Sequence, residues 1–514
     1  MSPLRRLWVR FTESEDLIAL FGRVVGMGSN FILFWLLVRI LPPAQYAQLG
    51  LITGLQTFAH IILLGPVLVQ IGREAWTWHE EKKQMERLSG LLIGLMLIYL
   101  VGNAMLVILA VPLGWIRPTD ILGVLVGTIA YSLWLAVSSL LNTVGILRER
   151  LPFATYIALD GLSRASAVGV LWLTHVNAPA WFYYLTVNCA GLAGTLVAYF
   201  LFHGAMEKYD VLLSGLWNTP HKFSRETVRF LIGSRSLRAT SLFQWLSSTG
   251  NRYVLEPLIS RTMLGTFLAA WGLGAMLLQA AEGLYSTVML PVLYNRTSGE
   301  RDTAPTRRAE KSNYLALWLA FLMPLLVVFI TFADRLALLL LGEQMGTPTA
   351  LVRAGLVFMA FGLWVNTFQS FSLVERQLRP NAFATAAALG IGLPALGLLT
   401  ARYGIEIGAW GLVLGAGMGA LVMGALFYTQ IGWTGVVRIV PLTIAGTVSL
   451  LLAAWLVFTL AAGVITGLGR WALFPAWGVV AAVWTGYLWW GVRPHVTRTI
   501  AGMRQIVKID GTVA

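Results

Sequence analysis

Three arginines lie inside stretches of the chain that are apolar enough to cross a membrane: Arg23, Arg235 and Arg238. A guanidinium in hydrocarbon costs at least ~2.5–3.5 kcal/mol unless it meets water, a partner or an anion. Its donors form a fixed fork that matches the oxygens of a phosphate. Two interpretations follow. These residues either line a cationic cavity that could bind phosphate, or their long side chains reach the lipid headgroups.

A carboxylate and a fourth arginine, Asp160 and Arg164, stand one helical turn apart in another apolar stretch. This spacing favours an ion pair within one helix, which lets both charges exist inside a membrane. The alternative is contact with a substrate, or a role in proton coupling. Glu282 lies in the middle of an apolar stretch without an oppositely charged neighbour in sequence. It either pairs with an arginine across a cavity or carries a proton.

Amide side chains are the remaining candidates for the site, namely Asn30, Gln56 and Gln244. They could contact sugar hydroxyls or a coupling ion, and hydrogen bonding between helices is the alternative for each. Cys189 is the single cysteine, which excludes a disulfide framework and a thiolate metal site. The sequence predicts no catalytic residue, no metal and no cofactor.

The amino-acid composition indicates that these residues belong to a membrane protein. Of 514 residues, 57% are hydrophobic and only 12% are charged, and the mean hydropathy is +0.73. Soluble domains carry about 25% charged residues, so a soluble chain of this size could not cover so much apolar surface. We predict an all-α polytopic membrane protein.

The apolar stretches number about fourteen, each near the length that crosses a bilayer. The predicted organisation is a cytoplasmic N-terminus (1–16), six spans (17–203), a cytoplasmic linker (204–229), six further spans (230–430), spans thirteen and fourteen (431–491), and a cytoplasmic amphipathic tail (492–514).

Lysine and arginine are unevenly divided between alternate loops, with about 25 on one side and about 6 on the other. Positive loops stay in the cytoplasm, so both termini are predicted to be cytoplasmic. This asymmetry explains most of the net charge of +14 without nucleic acid.

Several short motifs, in this order, resemble the lipid-linked oligosaccharide flippases of polysaccharide biosynthesis (Wzx type). That family belongs to the superfamily that also contains the multidrug and toxin extruders. The motifs are Gly22-Arg23, LVRILPPAQYA at 37–47, NRYVL at 251–255, LGTF at 264–267, LLLGE at 339–343 and YGIEIGAW at 403–410. Many relatives carry an acidic residue near Asn251, and this chain does not.

The resemblance implies two pseudo-symmetric six-helix lobes around a central cavity that opens alternately to each side, with two added C-terminal helices. It further implies a flippase of the bacterial inner membrane. The cargo would be an undecaprenyl-pyrophosphate-linked oligosaccharide repeat unit for exopolysaccharide or O-antigen export. The partners would be the bilayer and polysaccharide polymerase or export machinery, and the protein would be a monomer.

Two other functions stay open. A cation-coupled multidrug or metabolite antiporter would use the same scaffold, but it needs intramembrane carboxylates, and the deep charges here are mostly cationic. A non-transporting scaffold in a polysaccharide assembly complex would tolerate loss of Arg23 or Arg235. An enzyme is not predicted, because the sequence contains neither a P-loop nor a His-Glu-x-x-His motif.

Overall fold

The structure of the chain is a computed structural model. It describes residues 15–64, 85–146, 150–208, 241–242, 245–297, 304–346, 348–374, 379–431 and 433–464. Within these ranges every regular element is helical, which confirms the predicted all-α class.

The chain divides into two compact units. The first comprises Met1–Ala269 and Gly392–Gly408, and the second comprises Ala270–Ile391 and Ala409–Ala514. Three of the long helices, named α9, α13 and α14 below, begin in one unit and end in the other. Each unit is described separately.

The first unit contains eight complete described helices and the start of a ninth, besides the end of α13 and the start of α14. They are α1 (Glu15–Ile40), α2 (Pro43–Ala59), α3 (Met85–Ala110), α4 (Ile121–Ile146), α5 (Arg150–Leu173), α6 (Ala180–Leu201), α7 (His203–Lys208), α8 (Asn251–Leu255) and α9 (Arg261–Thr297). A π-helical turn, His60–Leu64, extends α2, and a second one, Leu246–Gly250, leads into α8.

The second unit contains the larger part of α9 and all or part of six further described helices. They are α10 (Ala304–Thr331), α11 (Ala333–Leu340), α12 (Thr349–Val374), α13 (Arg379–Tyr403), α14 (Ile405–Phe427) and α15 (Trp433–Val464). α10 packs along α12 and along α15.

Proline and glycine set the tight breaks between consecutive helices. α2 begins at Pro43, whose missing N–H costs nothing at the first turn of a helix. Gly404 separates α13 from α14 with a φ of +88°, a conformation that favours glycine because it lacks a Cβ. Proline and glycine thus mark where one helix ends and the next begins at these two positions.

Eight helices of the described residues are long and apolar enough to cross a membrane. The predicted tail 492–514 lies outside the described residues, as does most of the linker 204–229. Of the predicted spans thirteen and fourteen (431–491), residues 465–491 also lie outside them.

Glycines allow α1 to lie unusually close to α5, its main packing partner in the first unit. A Cβ on Gly22 would approach within 2.6 Å of the backbone of Ala154, and one on Gly26 would collide with the side chain of Ile157. A Cβ on Gly161 of α5 would in turn lie 3.1 Å from the carbonyl oxygen of Gly26. The Gly22-Arg23 motif therefore fixes this contact through its glycine.

We predict that Gly22→Ala destabilises the protein, because the added methyl meets backbone that cannot rotate away. Overpacking of this kind costs typically ~1–3 kcal/mol. Gly28→Ala on the same helix is the matched control, since nothing lies within 4 Å of its Cβ position. That variant should be neutral or more stable by up to ~1 kcal/mol, the helix propensity of alanine over glycine. Thermal unfolding of the purified protein in detergent measures both. Equal melting temperatures for the two variants would contradict the prediction.

Candidate functional site

An ion pair lies in the interior of the first unit. The Arg164 Nε donates to Asp160 Oδ1 at 2.8 Å, one turn apart on α5, as their spacing predicts. Trp134 on α4 donates its Nε1–H to the same carboxylate oxygen at 2.8 Å. The guanidinium also lies over the Trp134 ring, with its carbon 4.7 Å from the ring centroid. One indole therefore holds both charged groups.

Helix α6 has a glycine, Gly191, at the point where Arg164 packs against it. A Cβ on Gly191 would collide with the Arg164 guanidinium, so the arginine lies directly against the α6 backbone. Asn188 and Thr195 lie one turn to either side of Gly191, on the same face of α6. Both are buried, with 4% and 0% exposure.

Three polar atoms around this contact have no hydrogen-bond partner among the described residues. They are Arg164 Nη2, Asn188 Nδ2 and Thr195 Oγ1. Leaving a buried donor or acceptor unpaired costs about 1–3 kcal/mol. A polar ligand or an ordered water at this position would satisfy them.

Aromatic rings extend the site from the ion pair toward α2 and α3. Tyr131 stacks near Trp134 with ring centroids 4.9 Å apart, and Tyr99 on α3 lies 5.9 Å from Tyr131. The Tyr131 hydroxyl lies 3.5 Å from Nδ1 of His60. Ring stacking and hydrogen bonds thus connect four helices of the first unit.

Buried amides complete this region. Asn103 donates its Nδ2–H to the Tyr99 hydroxyl at 3.3 Å, and that hydroxyl donates to the main-chain oxygen of Gln56 at 3.2 Å. The Gln56 Nε2 donor and the Asn103 Oδ1 acceptor lack partners among the described residues. We name the whole set the polar-aromatic cluster: Gln56, His60, Tyr99, Asn103, Tyr131, Trp134, Asp160, Arg164, Asn188 and Thr195.

Arg23 lies on α1 near the start of α5. It is partly exposed, and its guanidinium carbon lies 5.8 Å from the centroid of the Phe153 ring. Phe153 is in the first turn of α5, which is the end predicted to face the cytoplasm. Arg23 is therefore nearer to this end of α5 than the ion pair, which lies two turns further along the helix.

The structure places the other predicted site residues apart from this cluster or does not describe them. Asn30 is exposed on α1, whereas Gln56 is buried in the cluster. Glu282 is partly buried on α9, in the second unit. Arg235, Arg238 and Gln244 lie outside the described residues, so their role in binding substrate stays a prediction.

Sequence reasoning missed the aromatic half of the cluster. Tyr131 and Trp134 are three residues apart in a helix that is otherwise apolar and hydroxyl-rich. Aromatic side chains in such a span normally pack between helices, and nothing in the sequence places Trp134 beside Asp160.

The sequence analysis also counts Lys311 among the cations of the predicted cytoplasmic loops. In the structure this residue is buried on α10 with 1% exposure. Its Nζ donates to Gln430 Oε1 at 3.2 Å.

Two of the motifs that resemble the flippase family, NRYVL at 251–255 and LGTF at 264–267, contact α2 in the first unit, and the motif at 37–47 contains the start of α2. Gly265 of the LGTF motif packs against Pro43 so closely that a Cβ would collide with the Pro43 carbonyl. The Arg252 guanidinium donates to the main-chain oxygen of Gly50, and the Tyr253 hydroxyl donates to that of Leu51 at 2.6 Å. Residues far apart in sequence thus form one contact between α2 and the segment α8–α9.

A metal site is not formed by the described residues, which contain no group of three or more His, Cys, Asp or Glu side chains able to hold an ion. The cluster offers donors in excess and one carboxylate that is already paired. Such a site suits a ligand rich in acceptor oxygens, such as a phosphate or a sugar.

Comparison with known proteins finds similar folds among solved structures, but it finds no matching family model or curated sequence. No protein-family model matches the chain, and no curated protein matches it. The lipid II flippase MurJ in an inward closed conformation is similar with a TM-score of 0.63 and 11% identity; the match covers 94% of this chain and 99% of MurJ.

Multidrug transporters are also similar. An outward-facing MATE transporter of the MOP superfamily gives a TM-score of 0.57 at 15% identity, covering 83% of this chain and 96% of that one. A point mutant of the Vibrio cholerae MATE transporter VcmN gives 0.55 at 16% identity, with 81% and 96% covered. The chain therefore shares its fold with these proteins, although their sequences are at most 16% identical to it. This confirms the predicted fold class.

We predict that Asp160→Ala destabilises the protein by roughly 3–5 kcal/mol, because it leaves the buried Arg164 charge without its counter-ion. Replacing both residues, as in Asp160→Leu with Arg164→Met, should recover most of the loss, since an apolar pair needs no partner. Asp334→Ala is the matched control. It removes an exposed pair, 3.6 Å from Arg335 with about half of each side chain exposed, and such pairs contribute ~0–1 kcal/mol. Thermal unfolding in detergent measures all three variants. A double variant no more stable than Asp160→Ala would show that the ion pair is not the cause.

Proposed function

We propose that this protein is a flippase that moves an undecaprenyl-pyrophosphate-linked oligosaccharide across the bacterial inner membrane by alternating access. The fold likeness to a lipid II flippase, which extends over 94% of this chain, supports a lipid-linked cargo. In this proposal the head group enters a polar cavity while the lipid tail stays in the bilayer. The protein supplies the hydrogen bonds that hydrocarbon cannot.

The observation that carries the proposal is the balance of charge in the polar-aromatic cluster. Asp160 Oδ1 accepts hydrogen bonds from both Arg164 and Trp134, so its charge is already compensated. The atoms left unpaired around it include donors on Arg164, Asn188 and Gln56. Pyrophosphate and sugar oxygens are acceptors, and they complement such a donor-rich interior.

Arg23 is the residue that we propose meets the pyrophosphate first. Its position beside the first turn of α5 leaves it accessible from the predicted cytoplasmic side. Its charged fork binds two phosphate oxygens at once, which a lysine does not match. Arg235 and Arg238 are proposed as its counterparts in the second group of six spans.

The same proposal includes the membrane topology, the oligomeric state and the partners of the protein. Both termini face the cytoplasm, residues 17–203 and 230–430 form the two lobes, and residues 431–491 add two spans. The protein works as a monomer in the bilayer, beside polysaccharide polymerase or export machinery. Outward movement of the anionic head group is expected to be favourable, because the membrane potential of an inside-negative cell lowers its free energy by ~2.3 kcal/mol per charge for each 100 mV.

The second candidate is a cation-coupled multidrug or metabolite antiporter. Its support is the fold shared with MATE transporters, at a TM-score of 0.57. Against it stands the state of Asp160, because a cation site needs a carboxylate whose charge is not already compensated. Glu282, in the second unit, is the carboxylate that this alternative would require.

The test of the flippase proposal is a deletion strain that is complemented with variants. We predict that cells without the protein accumulate lipid-linked repeat units on the cytoplasmic side and that the wild-type chain restores export. Arg23→Ala should lower export roughly tenfold or more, because a hydrogen bond to a charged group contributes ~1.5–3 kcal/mol. Arg23→Lys should be intermediate, since it retains the charge and loses the fork.

Arg335→Ala is the control for this experiment, because Arg335 is exposed and pairs only with its neighbour Asp334 among the described residues. Its export should equal that of the wild type, and all variants should reach the membrane in equal amounts. If Arg23→Ala exports normally while purified protein moves cationic dyes out of vesicles, the antiporter is the correct function.

A further inference from the structure

Three hydrogen bonds join residues 245–253 to α2, and in each of them a side chain donates to a main-chain oxygen. They are Arg252 to Gly50, Tyr253 to Leu51 at 2.6 Å, and Trp245 to Gly54 at 3.2 Å. The three acceptors span little more than one turn of α2, so the bonds form one continuous contact within the first unit. We name these three bonds the α2 contact.

The acceptors of the α2 contact keep a hydrogen bond when the contact breaks. All three oxygens lie inside the α-helix Pro43–Ala59, where each also accepts the N–H of the residue four positions later. Only the three donors then need a new partner, and water can supply it. Breaking a buried ion pair, such as Asp160 with Arg164, would instead leave charges uncompensated. The α2 contact is therefore suited to repeated opening and closing.

One donor of the contact is incompletely satisfied while the contact is closed. Arg252 is partly exposed, and its Nε is buried without a hydrogen-bond partner among the described residues. Its guanidinium also forms no ion pair with any of them. A charge that is removed from water without a counter-ion is unfavourable, so this group gains solvation when α8 moves away from α2.

The closed contact leaves no room for larger residues on α2. A Cβ on Gly54 would lie 2.6 Å from the Tyr253 hydroxyl, and one on Gly50 would collide with the Leu268 side chain. The Tyr253 ring lies between two tryptophans, with centroids 4.4 Å from that of Trp115 and 5.7 Å from that of Trp245. Glycines and stacked rings thus close the contact tightly.

The α2 contact lies between the polar-aromatic cluster and the turn that precedes α2. Since the N-terminus is predicted to be cytoplasmic, α2 begins at Pro43 on the predicted extracytoplasmic side. Gln56 and His60 of the cluster come later along the same helix than the three acceptors. On the predicted extracytoplasmic side, Arg261 donates to the main-chain oxygen of Gly114, which joins two further loops.

A π-helical turn lies beside the contact on each of its two segments. His60–Leu64 continues α2, and Leu246–Gly250 leads into α8. Such turns interrupt the regular α-helical pattern, are frequent at functional sites, and are positions where helices bend. Both segments therefore have a bend point within about two turns of the three hydrogen bonds.

We propose that the α2 contact is a reversible gate on the extracytoplasmic side of the polar-aromatic cluster. It is closed in this structure, and it opens when α2 and the segment before α8 bend at their π-helical turns. Its donors then meet water, while its acceptors keep their bonds inside α2. The inference rests on the alternating access proposed above, but it does not depend on the chemical identity of the cargo.

Cysteine labelling measures how often the gate opens. Cys189→Ser removes the single native thiol, and Leu268→Cys places a thiol in the contact, because the Leu268 side chain packs against Gly50. The full chain in lipid nanodiscs is treated with a low concentration of a charged, membrane-impermeant thiol reagent. When opening and closing are fast compared with modification, the labelling rate is proportional to the open population.

Removing one donor should raise the labelling rate. Tyr253→Phe keeps the ring and loses the hydroxyl, and it should label roughly fivefold faster, as expected for one hydrogen bond. Trp245→Phe should act in the same direction, since it keeps an aromatic ring and loses its N–H. Gly54→Ala should also label faster, because its methyl meets the Tyr253 hydroxyl when the gate closes.

Tyr183→Phe is the matched control. The Tyr183 hydroxyl also donates to a main-chain oxygen, that of Val176 at 2.8 Å, but this bond lies outside the α2 contact. Its loss should leave the labelling rate unchanged. If Tyr253→Phe labels no faster than Tyr183→Phe, or if the thiol at position 268 reacts as fast in the starting protein as in the unfolded chain, the proposal is wrong. These measurements use no cargo, so the gate can fail this test while the flippase passes the export test.

Discussion

Hydrocarbon cannot solvate a charge, and this constraint governs the interior of the first unit. Arg164 is tolerated there because Asp160 neutralises it, Trp134 supports both groups, and Gly191 lets the guanidinium approach the backbone of α6. Each of these three contributions comes from a different helix. The ion pair therefore joins α4, α5 and α6 through polar contacts, in addition to their apolar packing.

The two units offer different chemistry in their interiors. The first contains buried amides, tyrosines and a charged pair with unpaired donors. The second contains a cavity whose described lining residues are mostly apolar.

Glycine permits the polar contacts of this fold as much as the helix packing. At Gly54, a Cβ would meet the Tyr253 hydroxyl, and at Gly50 it would collide with Leu268. The side chains of Arg252 and Tyr253 can therefore reach main-chain oxygens of α2. The spacing of small residues on α2 therefore decides where these polar side chains can approach its backbone.

The sequence alone determined the helical class, most helix boundaries and the pairing of Asp160 with Arg164. These features depend on hydropathy and on spacing within one helix, which are local properties. Only the tertiary structure decided that Trp134 holds this pair and that Lys311 is buried. These contacts join helices that are distant in sequence. A helix exposes several faces to neighbours, and periodicity does not reveal which neighbour meets which face.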